Sequence, residues 1–327
     1  MSNSSNVSVL EISNLSVNFQ TQRGDIHALR NVDLIIPQNK TVGVVGESGC
    51  GKSTLINSIL RLLAPNASIA SGSIKFLDTN ILKMTDSELN DLRGQQISMV
   101  FQDPMTALNP VITVGKQMTD ILFRDTSPRN TKREKARDML QMVGMPDADE
   151  RLDDYPHQFS GGMRQRICIA MALMMNPSLL IADEPTTALD VTLEAQVIHL
   201  LRELKNSFQC SILFVSHNLG LIAELCDEVV VMYAGEVVET GDVFDLFHNP
   251  THPYTQRLLE CDPSRIERTT EELPTISGRV PDLIELTPGC IFSPRCASAF
   301  EPCSKQPPPD FLVNEHHKVR CFLNQGD

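Results

Sequence analysis

The stretch Gly46-Glu47-Ser48-Gly49-Cys50-Gly51-Lys52-Ser53, followed by Thr54, fits the pattern G-x-x-x-x-G-K-S/T in full. An apolar run at 41–45 leads into it and a segment with helical spacing, 52–63, leads out. That strand–loop–helix setting is the one in which such a loop holds phosphate. Its glycines let successive backbone N–H groups turn inward around phosphate oxygens, and the helix start adds positive potential. Lys52 is placed to reach the β and γ phosphates of a nucleotide, and Ser53 to offer its hydroxyl to Mg2+.

Working outward, compact β-branched runs at 42–45, 97–101, 179–182, 212–215 and 229–232 read as strands buried on both faces of a parallel sheet. Helical stretches separate them, as βαβ crossovers require. The expected fold is α/β, a P-loop NTPase with a RecA-like parallel sheet. Short alternating runs at 9–12, 15–19 and 32–36 predict an antiparallel β edge with polar turns between. Residues 103–177 read as a helical insertion, with a helix over 132–143 and a polar loop over 124–133. After Gly241 proline thickens, and four of the nine cysteines fall between 290 and 321. This gives an expected division into a nucleotide-binding domain over 1–260 and a Cys/Pro-rich C-terminal domain over 261–327.

Two acidic residues, Asp183 and Glu184, end the run at 179–182. Burying such a pair is costly without a cation, and Mg2+ supplies one. Asp183 would hold the metal, leaving Glu184 to activate the attacking water. Upstream lies Phe159-Ser160-Gly161-Gly162-Met163-Arg164-Gln165-Arg166. A serine hydroxyl and unobstructed glycine N–H groups at a helix start suit a γ-phosphate.

The order of Gly-rich loop, glutamine, Ser-Gly-Gly, Asp-Glu and histidine resembles the nucleotide-binding subunit of an ATP-binding cassette transporter over residues 9–260. The resemblance implies that Phe19 stacks on adenine and that Gln102 senses the metal and the nucleophilic water. It implies that Ser160, Gly161 and Gly162 cap the nucleotide of an opposing subunit. Asp190 would communicate across the dimer, and His217 would contact the γ-phosphate and position Glu184. Lys52, Gln102, Glu184 and His217 form the implied catalytic set. Mg2+ would lie among Ser53, Gln102 and Asp183, and Gly46 through Thr54 would hold ATP. Two departures stand out. Met163 replaces a glutamine of the signature without altering the Ser-Gly-Gly donors. Cys50, at a helix start, is a position where a thiol pKa can fall and redox control can arise.

The second sharp pattern is Cys290-x5-Cys296-x6-Cys303-x17-Cys321. This segment holds few large apolar residues and needs another source of order. Four thiols in a reducing compartment disfavour disulfides. The absence of a close Cys pair is unlike most zinc sites, and wide spacing fits an iron–sulfur cluster at least as well. Pro288-Gly289-Cys290, Pro294-Arg295-Cys296 and His248-Asn249-Pro250-Thr251-His252-Pro253-Tyr254-Thr255 resemble the tail of the peptide and nickel importer subgroup, in which some members carry a 4Fe–4S cluster. Iron–sulfur, zinc and no metal stay open. Cys168, Cys210, Cys226 and Cys261 read as structural, and the Met-rich helix at 163–175 as packing.

The bulk numbers agree with this reading. The net charge of −13 disfavours a nucleic-acid surface. The N-terminus lacks a basic and apolar leader, and the longest apolar run, 167–175, is about half a membrane span. The resemblance implies an ATPase peripheral to the cytoplasmic face of the inner membrane, importing di- or oligopeptides. Its partners would be a second homologous ATPase subunit, two integral membrane permease subunits and an external solute-binding protein. Nickel or another small solute is the alternative cargo. A soluble DNA- or ribosome-acting cassette would need a coiled-coil insertion or a second cassette, and a non-hydrolytic subunit would lose Glu184 or His217.

Overall fold

The computed structural model describes residues 7–187, 189–262 and 274–325. In chain order the strands are β1 (Ser8–Thr21), β2 (Gly24–Pro37), β3 (Thr41–Val45), β4 (Ala67–Phe76), β5 (Thr79–Asn80) and β6 (Ile97–Val100). They continue with β7 (Leu179–Asp183), β8 (Ser211–Val215), β9 (Glu228–Tyr233), β10 (Glu236–Asp242), β11 (Phe311–Leu312) and β12 (Lys318–Val319). Two compact units hold them, one of residues 1–83 and 215–327, the other of residues 84–214.

In the first unit an antiparallel sheet runs in the order β2-β1-β4-β5. Three short strands are expected here, but β1 and β2 are each single strands of 14 residues. The ladder shifts register between Ile12 and Leu15 and again near Val17. Asn14 and Asn31 adopt left-handed φ angles of 50° and 45°, which asparagine tolerates better than most residues. The polar positions that read as turns are therefore bulges within continuous strands. β4 escaped the sequence reading because it is exposed through its Ser-Gly-Ser middle and buries only Ile74 and Phe76.

The same unit carries β3, buried at every position, beside parallel β9. β9 continues antiparallel into β10, which pairs with β12, and β12 with β11. The C-terminal segment thus adds strands to the edge of the unit. It also reaches the β1–β2 hairpin, where His27 N donates to Leu283 O at 2.9 Å and Arg23 pairs with Asp282.

The second unit orders its strands β8-β7-β6, with β6 and β7 parallel. Buried aliphatic side chains of helices Gly161–Leu173 and Val191–Phe208 supply much of its core. The expected loop at 124–133 is partly wrong, because a helix spans Arg129–Met142. It buries only Ala136 and Leu140, so its charge-rich sequence is a solvated helix face and not a loop. The helix after the phosphate loop is shorter than expected, Lys52–Ile59, and Arg61 at φ 49° follows its end.

Candidate active site

The phosphate loop is the turn between β3 and helix Lys52–Ile59. Gly46 sits at φ 154°, and a Cβ there would lie 2.1 Å from the carbonyl oxygen of Met232 on β9. Only glycine fits that approach. Lys52 is buried, and its Nζ donates to the carbonyl of Gly46 at 2.7 Å and of Glu47 at 3.3 Å. The lysine therefore lies inside the loop, as a phosphate-binding charge must. Ser53 stands one residue further into the helix, in its first turn.

Cys50 departs from expectation. It is 2% exposed, and burial pushes its thiol up, more than nearby Lys52 pulls it down. A raised, enclosed thiol is inert, which removes the basis for a redox switch at Cys50.

In the second unit β7 ends at Asp183, and Glu184 follows at a left-handed φ of 44°. Such an angle is costly for a glutamate and tends to occur where geometry serves function. The carboxylate is held from two directions: Gln102 Nε2 donates to Glu184 Oε2 at 3.3 Å, and Thr187 Oγ1 donates to the same oxygen at 3.1 Å. Gln102 follows β6, so adjacent parallel strands bring the glutamine and glutamate together. Thr187 carries no signal in the sequence that would have marked it.

Ser160 caps helix Gly161–Leu173, its Oγ accepting from Met163 N at 3.4 Å. Ser160 and Gly161 are exposed, while Gly162 is buried. A Cβ on Gly162 would meet Leu193 Cδ2 at 3.0 Å, so that glycine also serves close packing between helices. The exposed pair leaves the helix start open to an anion. Asp190 caps helix Val191–Phe208 by accepting from Leu193 N at 3.0 Å.

Phe19 and His217 belong to the first unit. Phe19, at the end of β1, is half-buried, not in the core. His217 is exposed and follows Ser216, whose N donates to Val44 O at 3.3 Å. That bond ties the histidine's approach to the strand leading into the phosphate loop.

The four tail cysteines line one pocket together with His252 and Phe292. Burial raises the thiols of Cys290, to about 11, and of Cys296 and Cys321. Among the described residues no three His, Cys, Asp or Glu side chains gather as the ligand set of a single metal ion. The four thiols thus share the lining of a pocket without meeting as a ligand set. The tail also has more apolar support than its sequence suggests. Phe292 packs on Tyr233, Tyr254 and His252, with ring centroids 5.1, 5.4 and 5.8 Å apart. Of the other cysteines, Cys168, Cys210 and Cys226 are buried and Cys261 half-buried. Burial raises Cys168 to about 12 and Cys210 to about 11, as structural thiols require.

In the first unit a phosphate loop follows a buried strand, and in the second a glutamate is held at the end of a strand parallel to β6; each is a mark of a P-loop ATPase. The chain matches the ABC transporter family over residues 29–187 and the oligopeptide/dipeptide transporter C-terminal region over residues 238–303. It is 45% identical over 317 residues to the dipeptide transport ATP-binding protein DppD of Bacillus subtilis, covering 96% of this chain and 94% of the relative. It is 47% identical over 302 residues to the oligopeptide transport ATP-binding protein OppD of Salmonella typhimurium, covering 92% and 89%. Among solved structures it resembles a dimeric, post-hydrolysis ATP-binding cassette, MJ0796, bound to ADP and Pi. The TM-score there is 0.64 at 27% identity, covering 72% of this chain and 98% of that one. The chain belongs to the ABC transporter family of ATP-binding proteins, in the branch bearing the oligopeptide/dipeptide C-terminal region. No described helix is long and apolar enough to cross a membrane.

Proposed function

We propose that this chain is the ATP-hydrolysing subunit of an importer for di- or oligopeptides, working at the cytoplasmic face of the inner membrane. One observation carries the reading: an intact hydrolytic set, with Glu184 held by Gln102 and Thr187, shares a chain with the oligopeptide/dipeptide transporter C-terminal region. In this reading residues 1–260 form the cassette, with its helical part at 103–177, and 261–327 the accessory region. Gly46 through Thr54 and Phe19 bind ATP, and Ser53, Gln102 and Asp183 surround Mg2+, which neutralises charge on the phosphates. Glu184 takes the proton of the attacking water, and His217 and Lys52 steady the γ-phosphate. The exposed Ser160 and Gly161, with Gly162, complete the site of a second, homologous ATPase subunit, and Asp190 links the two sites. Two permease subunits and an external solute-binding protein complete the transporter.

The deciding experiment is to purify the intact complex with its binding protein and measure ATPase. Stimulation by di- or oligopeptides is expected; stimulation by nickel alone would transfer the cargo to the metal. We further propose that Cys290, Cys296, Cys303 and Cys321 bind a 4Fe–4S cluster, with zinc as the alternative occupant. Their convergence on one pocket supports this reading. An anaerobic preparation should contain iron and acid-labile sulfide; zinc without sulfide would reverse the assignment.

A further inference from the structure

The first variable residue of the phosphate loop, Glu47, is gripped by residues more than 200 positions away. Arg295 binds its carboxylate with both guanidinium nitrogens, Nη1 to Oε2 at 2.7 Å and Nη2 to Oε1 at 3.1 Å. The arginine side chain is only 4% exposed, and it is itself fixed. Nε donates to Ser277 O at 2.9 Å, Nη2 to Ile276 O at 2.9 Å and Nη1 to Tyr233 Oη at 3.2 Å. A guanidinium stays protonated in proteins, so the charge is permanent. The backbone of Glu47 is held as well, its N–H donating to Tyr254 Oη at 2.9 Å. Tyr254 is fully buried and packs on Phe292, three residues before Arg295.

This grip has an electrostatic consequence. A carboxylate in a loop that receives a triphosphate repels its ligand. Neutralised by a bidentate guanidinium, Glu47 leaves the charge of Lys52 unopposed. We propose that Arg295 is a positioning residue of the ATPase site, neutralising and orienting Glu47 so that the phosphate loop accepts MgATP. The C-terminal segment thereby becomes part of the nucleotide site. Arg295 acts through Glu47, not on the substrate. The proposal rests on the loop binding ATP.

The test uses the full chain in its purified transporter complex, with MgATP as the probe. Arg295→Met should raise KM for ATP on the order of tenfold, the scale of one unbalanced unit charge acting over roughly 12 Å at an effective dielectric of about 20. The effect on kcat should be far smaller. Arg295→Lys, which keeps the charge, should recover most of the loss. Arg295→Met combined with Glu47→Gln should also recover it, because the repelling charge is gone. A general weakening of the tail would lower kcat as well as raise KM, show in thermal melts, and gain nothing from Glu47→Gln; that outcome overturns the proposal. So does an unchanged KM in Arg295→Met. A wild-type complex that does not hydrolyse ATP would overturn the nucleotide reading instead, which separates the two failures.

Discussion

His252 makes the tail's docking sensitive to pH, and its structure sets both the sign and the size of the effect. Its Nδ1 accepts from Tyr254 N at 3.0 Å, capping helix Pro253–Glu260. The proton of the neutral ring is therefore on Nε2. Its backbone N donates to Glu239 Oε2 at 3.2 Å. Burial pushes the imidazole down to about 4 from an ordinary 6.5, with Glu239 opposing. The titratable groups around it are Glu239 of β10, His317 just before β12, and the thiols that share its pocket. A depressed histidine favours folding while neutral. Its contribution is complete above pH 6.5 and is lost as pH falls toward 4, because the unfolded chain takes the proton first. The gap between 6.5 and about 4 corresponds to roughly 3 kcal/mol in all, of which about 2 kcal/mol is lost between pH 7.5 and pH 5.

His252→Asn separates this effect from others, since asparagine caps helices well and does not titrate. Urea unfolding should be followed by tyrosine fluorescence. The chain has no tryptophan and three tyrosines, two of which, Tyr233 and Tyr254, pack on Phe292 beside His252. Measured at pH 7.5 and pH 5, the stability difference between wild type and variant should move by about 2 kcal/mol in favour of the variant. Glu239 does not confuse the result. Burial raises its carboxyl, but hydrogen bonds from His317 and Thr251 hold it below the usual 4.5, so its contribution is lost only at lower pH. A difference that stays within about 0.5 kcal/mol across the range would refute the argument.

Three further outcomes are expected. Glu184→Gln should keep ATP binding, measured by nucleotide titration, while slowing turnover at its own site by about 10²–10⁴-fold. Gly46→Ala should abolish ATP binding. Its Cβ would fall 2.1 Å from the Met232 carbonyl, a clash beyond the ~1–3 kcal/mol of ordinary backbone strain. Cys50 should resist iodoacetamide in the native chain, as peptide mass spectrometry would show, and Cys50→Ser should leave the peroxide sensitivity of the ATPase unchanged; rapid labelling would contradict its burial.

What the sequence disclosed was the chemistry that local backbone geometry dictates. The phosphate loop, the carboxylates after β7 and the Ser-Gly-Gly helix start each need particular residues within a few positions, so spacing identifies them. The strands were harder wherever the pattern breaks. Asn14 and Asn31 read as turns because a left-handed residue inside a strand looks, in one dimension, like a strand end. Long-range pairings left no trace. Arg295 and Glu47 are 248 positions apart, and neither residue is unusual in its own neighbourhood.

The tail shows why that matters. By composition it lacked a core, which made a metal the evident source of order. In the fold, Ile291, Phe292 and Phe322 are buried, and Phe292 sits among aromatic rings contributed by β9 and helix Pro253–Glu260. His317, 1% exposed, donates its Nε2–H at 2.8 Å to the carboxylate of the equally buried Glu239. Leaving one partner of such a buried bond unsatisfied costs about 1–3 kcal/mol, which helps hold a short segment in place. The tail borrows its core from the cassette, so the four thiols do not have to fold it.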